Sequence, residues 1–226
     1  MSPQTNLRTD DFGGSATKRA EVVVRIIRQI RRETSKEFCI GIKINSVDAA
    51  LSESLSDVIK QVQLIVDAGI DFIEISGGTY ENPRMMQEPT AATKPAADVK
   101  KSTLQRESFF LQFSQTIREN FPKVILMVTG GFRTRQGMEA ALQSEACDLI
   151  GIARPAAVLP RLPKEVILNT KEVPDEEARV NLAPLRVPFL VSILPIKPLG
   201  GGHQSAYYAG QIQRMAKGLK PVECRI

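Results

Sequence analysis

Apolar residues along this chain switch repeatedly between the helical period and short, β-branched runs. From Ala16 to Thr34 they recur at helical intervals (Val22, Val23, Ile26, Ile27, Ile30), which predicts an amphipathic helix with Ser15 as its N-cap behind Gly13-Gly14. Phe38 to Asn45 is a short apolar run that reads as a buried strand. A second helix is expected from about Glu53 to Ala68, with Gly69 where a C-cap glycine belongs. Asp71 to Ser76 (DFIEIS) is a second strand, running into Gly77-Gly78. Residues 77–104 are polar, hold Pro83, Pro89 and Pro95, and read as a long loop. Helix Leu104–Asn120 then leads to strand Val124–Thr129, and helix Arg135–Ser144 leads to strand Asp148–Ile152. Residues 159–204 are Pro-rich and irregular, and a terminal helix over 205–218 ends at Gly218.

Strand and helix alternate through about four repeats, which dictates an α/β fold: parallel strands covered by helices. Open doubly wound sheets and closed barrels share this grammar. Glycines at several strand ends, rather than one Gly-rich first turn, favour a (β/α) TIM-type barrel, and no GxGxxG dinucleotide fingerprint follows a strand. With 226 residues, 42% hydrophobic and 24% charged, the chain is expected to form a single domain over 1–226, or a piece of a larger one.

Charge narrows the function classes. The net charge is +5, but the basic residues are dispersed. Arg25, Arg28, Arg31 and Arg32 alternate with Val and Ile at helical spacing and have no aromatic residues among them. They read as a solvated helix face, not a nucleic-acid surface. Cys39, Cys147 and Cys224 are widely spaced and suit free thiols in a reducing compartment. No cluster of ligating residues suggests a metal site. Met1 to Asp11 is polar, without the apolar core of a signal peptide, and the run Val187–Ile196 is short and holds Pro188 and Pro195. These features lead us to expect a soluble, cytoplasmic protein that engages neither membrane nor nucleic acid.

Strand alternation sorts the side chains that could carry chemistry. Ile40, Ile42 and Ile44 point toward the helices, leaving Gly41, Lys43 and Asn45 on the inner face; Ile73 and Ile75 likewise leave Phe72, Glu74 and Ser76 inside. Lys43 and Glu74 thus face inward on neighbouring strands. Two readings stand: an ion pair that fills a barrel, or a cation aimed at an anionic or electron-rich ligand. Thr129-Gly130-Gly131-Phe132 lets backbone N–H groups approach a ligand closely, and Ala153-Arg154 adds a guanidinium suited to phosphate. Each glycine pair alone is equally well a tight strand exit; two exits, one followed by Arg, favour a phosphate. His203, the only histidine, follows Gly200-Gly201-Gly202 and reads as an exposed polar residue.

Several segments together resemble the old yellow enzyme family of NAD(P)H:flavin oxidoreductases. They are Asn6-Leu7-Arg8-Thr9-Asp10-Asp11-Phe12-Gly13-Gly14-Ser15, similar to the family's N-x-R-x-D-x-[YF]-G-G-S, then Gly41-Ile42-Lys43-Ile44-Asn45, Phe72 to Gly78, Thr129 to Phe132, Asp148 to Pro155, and the ending from Tyr207-Tyr208 through Gln211, Arg214 and Gly218. The resemblance implies the C-terminal half of a TIM-type barrel, incomplete unless complemented. It implies FMN as cofactor and NAD(P)H as reductant. Lys43 would lie near the flavin's pyrimidine edge, Gly130 and Gly131 would supply backbone donors to the FMN phosphate, and Ala153 and Arg154 the second phosphate-binding loop.

The family's paired donors to a substrate carbonyl and its proton-donating Tyr have no counterpart here, so no residue is given a catalytic role. The function expected is that of an FMN-dependent oxidoreductase of the ene-reductase type, acting on a small enone-like substrate, or a truncated member carrying the flavin-phosphate half-site. The alternatives are a non-catalytic half-barrel that complements another polypeptide or a second copy, and a simple phosphate-ligand module.

Overall fold

Helix α1 (Ala16–Glu33) forms where the apolar period places it, and the Ser15 side chain caps it by accepting from the Lys18 N–H. The computed structural model that shows this describes residues 1–45, 54–76, 111–180, 182 and 197–222. The segment before α1 is folded onto it: Asn6 Nδ2 donates to Phe12 O at 2.7 Å, Phe12 N donates to Asp10 Oδ1 at 3.1 Å, and the Arg25 guanidinium lies 4.9 Å from the Phe12 ring centre. Strand β1 (Gly41–Asn45) follows, then α2 (Leu55–Asp67), capped by Ser54, and β2 (Phe72–Ser76). After β2 come α3 (111–120), β3 (Ile125–Thr129), α4 (Arg135–Gln143), β4 (Leu149–Gly151) and α5 (Arg154–Val158). A π-helical turn (Pro163–Ile167) and a long helix α6 (Lys197–Ala216) complete the described elements.

The four strands form one parallel sheet in the order β1-β2-β3-β4. Ile44, Ile73, Ile75, Leu126 and Val128 are buried on one face, packed with α2, α3 and α4 through Val62, Ile117, Phe113 and Met138. Burying each such side chain contributes roughly 1.5–3 kcal/mol. A satellite cluster of Val24, Ile27, Ile65 and Ala68 fastens α1 to α2. The opposite face is open: Ile125 is 46% and Leu149 47% exposed. This is the parallel, helix-covered α/β sheet that the periodicity predicts.

One polar device occurs twice at the strands' N-terminal ends. Asp71, just before β2, accepts from Ile40 N at 2.6 Å and pairs with Arg31 of α1, which also donates to Phe38 O and Gly69 O at 2.6 and 2.8 Å. Asp148, just before β4, accepts from Leu126 N at 2.8 Å and pairs with Arg118 of α3 at 2.5 Å, which also donates to Val124 O at 2.8 Å. In both copies the aspartate N–H donates back to the residue whose amide it binds, Ile40 or Leu126. The Ile40 N–H, with Arg31, holds the Asp71 carboxyl below its ordinary range. For Asp148 burial opposes the shift, but the Leu126 N–H and Arg118 prevail and its pKa also falls.

Two further arginines are buried on the packed faces of their helices. Arg19, 4% exposed, donates to Met1 O at 2.7 Å and ties α1 to Asp57 of α2. Arg135, 2% exposed, donates to the carbonyls of Val166, Ile167, Asn169 and Val173 and to Asp175. It thereby orders the stretch after α5, which is not irregular throughout. Likewise α6 opens at Lys197, well before the expected Ser205. Pro198 falls in its first turn, where a missing N–H leaves no hydrogen bond unmade, and the glycines that follow weaken a helix without forbidding it. All of the expected loop 77–104, the first part of the expected helix Leu104–Asn120, the run Val187–Ile196 and Cys224 lie outside the described residues, and nothing is described of the His203 side chain. Cys39 and Cys147 are free thiols, and burial pushes the pKa of Cys147 up to about 11. Among the described residues no helix is long and apolar enough to cross a membrane, and no His, Cys, Asp or Glu cluster could hold a metal ion.

The two aspartate clamps should govern acid stability. Their folded-state pKa values are depressed, so the stabilisation is complete above the unfolded carboxyl pKa of about 4 and is lost as pH falls through the lower folded values. Asp71→Asn and Asp148→Asn should each lower unfolding free energy at neutral pH by about 1–2 kcal/mol and flatten its decline below about pH 4, read by urea titration at several pH values. Arg135→Met leaves four carbonyls without their shared donor and should cost about 3 kcal/mol by the same measurement.

Candidate functional site at the strand ends

Rows of side chains across the open face change in character from one end of the sheet to the other. The register pairs Gly41 with Phe72 and Phe72 with Ile125, so the first row is apolar. The next row, Lys43, Glu74, Met127 and Leu149, mixes charge with apolar surface. The last pairs, Asn45 with Ser76 and Thr129 with Gly151, are polar or bare. Polarity therefore rises toward the C-terminal ends of the strands, where ligands bind in parallel α/β sheets.

Lys43 Nζ donates to Glu74 Oε1 at 2.5 Å, with the two side chains 55% and 18% exposed. The pair anticipated from strand alternation is present, and it sits on the open face. Gly130 and Gly131 leave the end of β3. Gly131 has φ +72°, a backbone conformation costing an ordinary residue about 1–2 kcal/mol, and Phe132 N closes the turn on Gly130 O at 2.9 Å. Phe132, 2% exposed, anchors this turn in the core. Ala153 and Arg154 leave β4 at the same level, since each exit begins from the Thr129–Gly151 pair; Arg154 is the first residue of α5. Adjacent strands lie about 4.8 Å apart, so Lys43, two strands from β3, is on the order of 10 Å to one side of the glycine turn. The structure thus groups Gly130, Gly131, Ala153 and Arg154 at two adjoining exits and sets Lys43 apart on the sheet face.

Thr129 was legible only as the first letter of a glycine motif, and the structure gives it a separate character. Its side chain is buried, and its Oγ1 is the buried side-chain N or O atom among the described residues that has no hydrogen-bond partner. An orphaned buried hydroxyl costs about 1–3 kcal/mol. It lies over Gly151: a Cβ built there would stand 1.8 Å from Thr129 Oγ1. A separate open groove of about 810 Å³ runs between residues 158–166 and Lys220–Val222, and none of the expected site residues lines it.

Comparison with known proteins places this geometry. The NADH:flavin oxidoreductase / NADH oxidase family matches residues 1–172. The chain is 41% identical over 199 residues to the NADH-dependent flavin oxidoreductase iliE of Hypocrea jecorina, covering 88% of this chain and 48% of that protein. It is 41% identical over 218 residues to the NADH-dependent flavin oxidoreductase iccE of Talaromyces variabilis, covering 96% of this chain and 51% of that one. The chain thus spans about half the length of these relatives. Among solved structures, a 2-naphthoyl-CoA reductase complex superimposes with a TM-score of 0.58 at 21% identity, over 78% of this chain and 24% of that one, a likeness of fold. Sequence, strand order and fold likeness agree, and the chain belongs to the NADH:flavin oxidoreductase / NADH oxidase family.

Proposed function

We propose that this chain supplies the flavin-phosphate half of an FMN-dependent NAD(P)H oxidoreductase. The observation that carries this reading is the pair of adjoining exits after Thr129 and Gly151, with a glycine at positive φ on one strand and Arg154 on the other. The donor set fits a phosphate monoester: bare backbone N–H groups at 130 and 131, a guanidinium at 154, and a buried hydroxyl at 129 in need of a partner. FMN, when bound, would carry hydride from NAD(P)H to an acceptor such as a small enone.

The chain's own residues then bind and orient. Gly130 and Gly131 hold the phosphate end without side chains in the way, and Arg154 neutralises its charge. Lys43, steadied by Glu74, directs an ammonium across the open face toward the electron-rich edge of the ring. On this reading the proton donor and the contacts to substrate belong to the strands that complete the barrel, in the same polypeptide or another.

A second reading, a non-catalytic half-barrel that complements another polypeptide, is favoured by one observation: Ile125 and Leu149 stand about half exposed on the inner face. One experiment separates the two. The purified protein is incubated with excess FMN, freed of unbound ligand, and its visible absorption recorded. Retained flavin absorbance is expected, and Arg154→Ala should reduce FMN affinity by about tenfold or more. Lys43→Ala should weaken it less, since that ammonium remains partly in water. A colourless protein would favour the half-barrel reading.

A further inference from the structure

The hydroxyl of Thr129 is the one feature of the strand ends that backbone geometry and family likeness leave unexplained. Thr129 closes β3, is 7% exposed, and its Oγ1 has no partner among the described residues. Valine would fill the same volume without burying a polar atom, and β3 already places valine at Val128. β4 also accommodates the hydroxyl. At the position paired with Thr129 it carries Gly151, where a Cβ would fall 1.8 Å from Oγ1 and 2.8 Å from the threonine Cβ. Two strands thus give up side-chain packing to keep a hydroxyl at this point, which shape alone does not require.

The direction from which a partner can come is limited. The next two residues of β3's exit are Gly130 and Gly131, and the facing residue is Gly151, so three neighbouring positions carry no side chain that could accept. A hydroxyl donates a single hydrogen, and its strongest acceptors are anionic oxygens. We propose that the Thr129 hydroxyl is a donor to the phosphate of the ligand held at Gly130, Gly131 and Arg154, with Gly151 kept bare to seat it. The identity of that ligand rests on the FMN reading; the hydroxyl's chemistry does not, since any phosphate monoester would satisfy it.

The test uses Thr129→Val with two flavins that differ only in the phosphate. Binding of FMN and of riboflavin is followed by fluorescence quenching, and thermal unfolding is recorded without ligand, with FMN and with inorganic phosphate. Thr129→Val is expected to unfold at the same or a higher temperature than the parent without ligand. Its FMN affinity should fall about tenfold or more while riboflavin binding is unchanged, and Thr129→Ser should restore the FMN preference. Equal losses for FMN and riboflavin, or unchanged FMN affinity together with a lower unfolding temperature, would overturn the proposal. If the parent retains no FMN but gains stability from inorganic phosphate and Thr129→Val does not, the FMN reading fails and the hydroxyl's role stands. If neither FMN nor phosphate stabilises the parent, both fail.

Discussion

The position of every group at the candidate site depends on the carboxylates that begin β2 and β4. A parallel strand pair has no hairpin turn to set its register, and a slip of one residue would carry each inward side chain to the helix face. Asp71 and Asp148 each exchange two hydrogen bonds with one residue of the neighbouring strand segment, Ile40 or Leu126. An arginine from the preceding helix closes each clamp and binds the carbonyl two residues before that amide, Phe38 or Val124. The bonds tie helix, strand and next strand at one level. With register fixed there, Lys43 must lie beside Glu74, and Thr129 beside Gly151.

The same constraint accounts for the contrast between the two ends of the sheet. The N-terminal end holds charges that satisfy one another and the backbone, so it is saturated. The C-terminal end holds two glycines in a turn, Arg154 opening a short helix, and a buried threonine hydroxyl with no partner among the described residues. Satisfied groups stabilise the fold, while a buried hydroxyl without a partner is where a ligand gains binding energy. Arg135, which opens α4 just past the β3 exit, orders residues 166–175 around one buried guanidinium.

The strands and most helices were legible because their period depends on local patterning alone. Ser15, Gly69 and Gly218 marked ends correctly because caps follow from backbone geometry within a few residues. The clamps were not legible. By spacing Arg31 belongs with Arg25, Arg28 and Arg32 on a solvated face, and nothing within one helix distinguishes an arginine that reaches Asp71, 40 residues on. Arg19 and Arg135 are hidden for the same reason: most of their acceptors are carbonyls, which every residue has. The glycines and Arg154 of the candidate site stand out by residue type, whereas Thr129 does not. Its significance lies in a missing partner and in Gly151 across the sheet, a relation only the register creates.

Lys43 shows how the open face and the chemistry are linked. At 55% exposure its pair with Glu74 is close to a surface ion pair, worth at most about 1 kcal/mol, and water satisfies its remaining donors. Strands covering the inner face would remove that water. The ammonium has three N–H donors, and Glu74 Oε1 is the acceptor it has here. Enclosure would strengthen the pair electrostatically but leave two donors without partners, a penalty that grows as the dielectric falls. A barrel closed over Lys43 therefore needs further acceptors at that place, from the covering strands or from a ligand. Closing the sheet and supplying those acceptors are, on this geometry, coupled demands, because Glu74 answers only one of the ammonium's donors among the described residues.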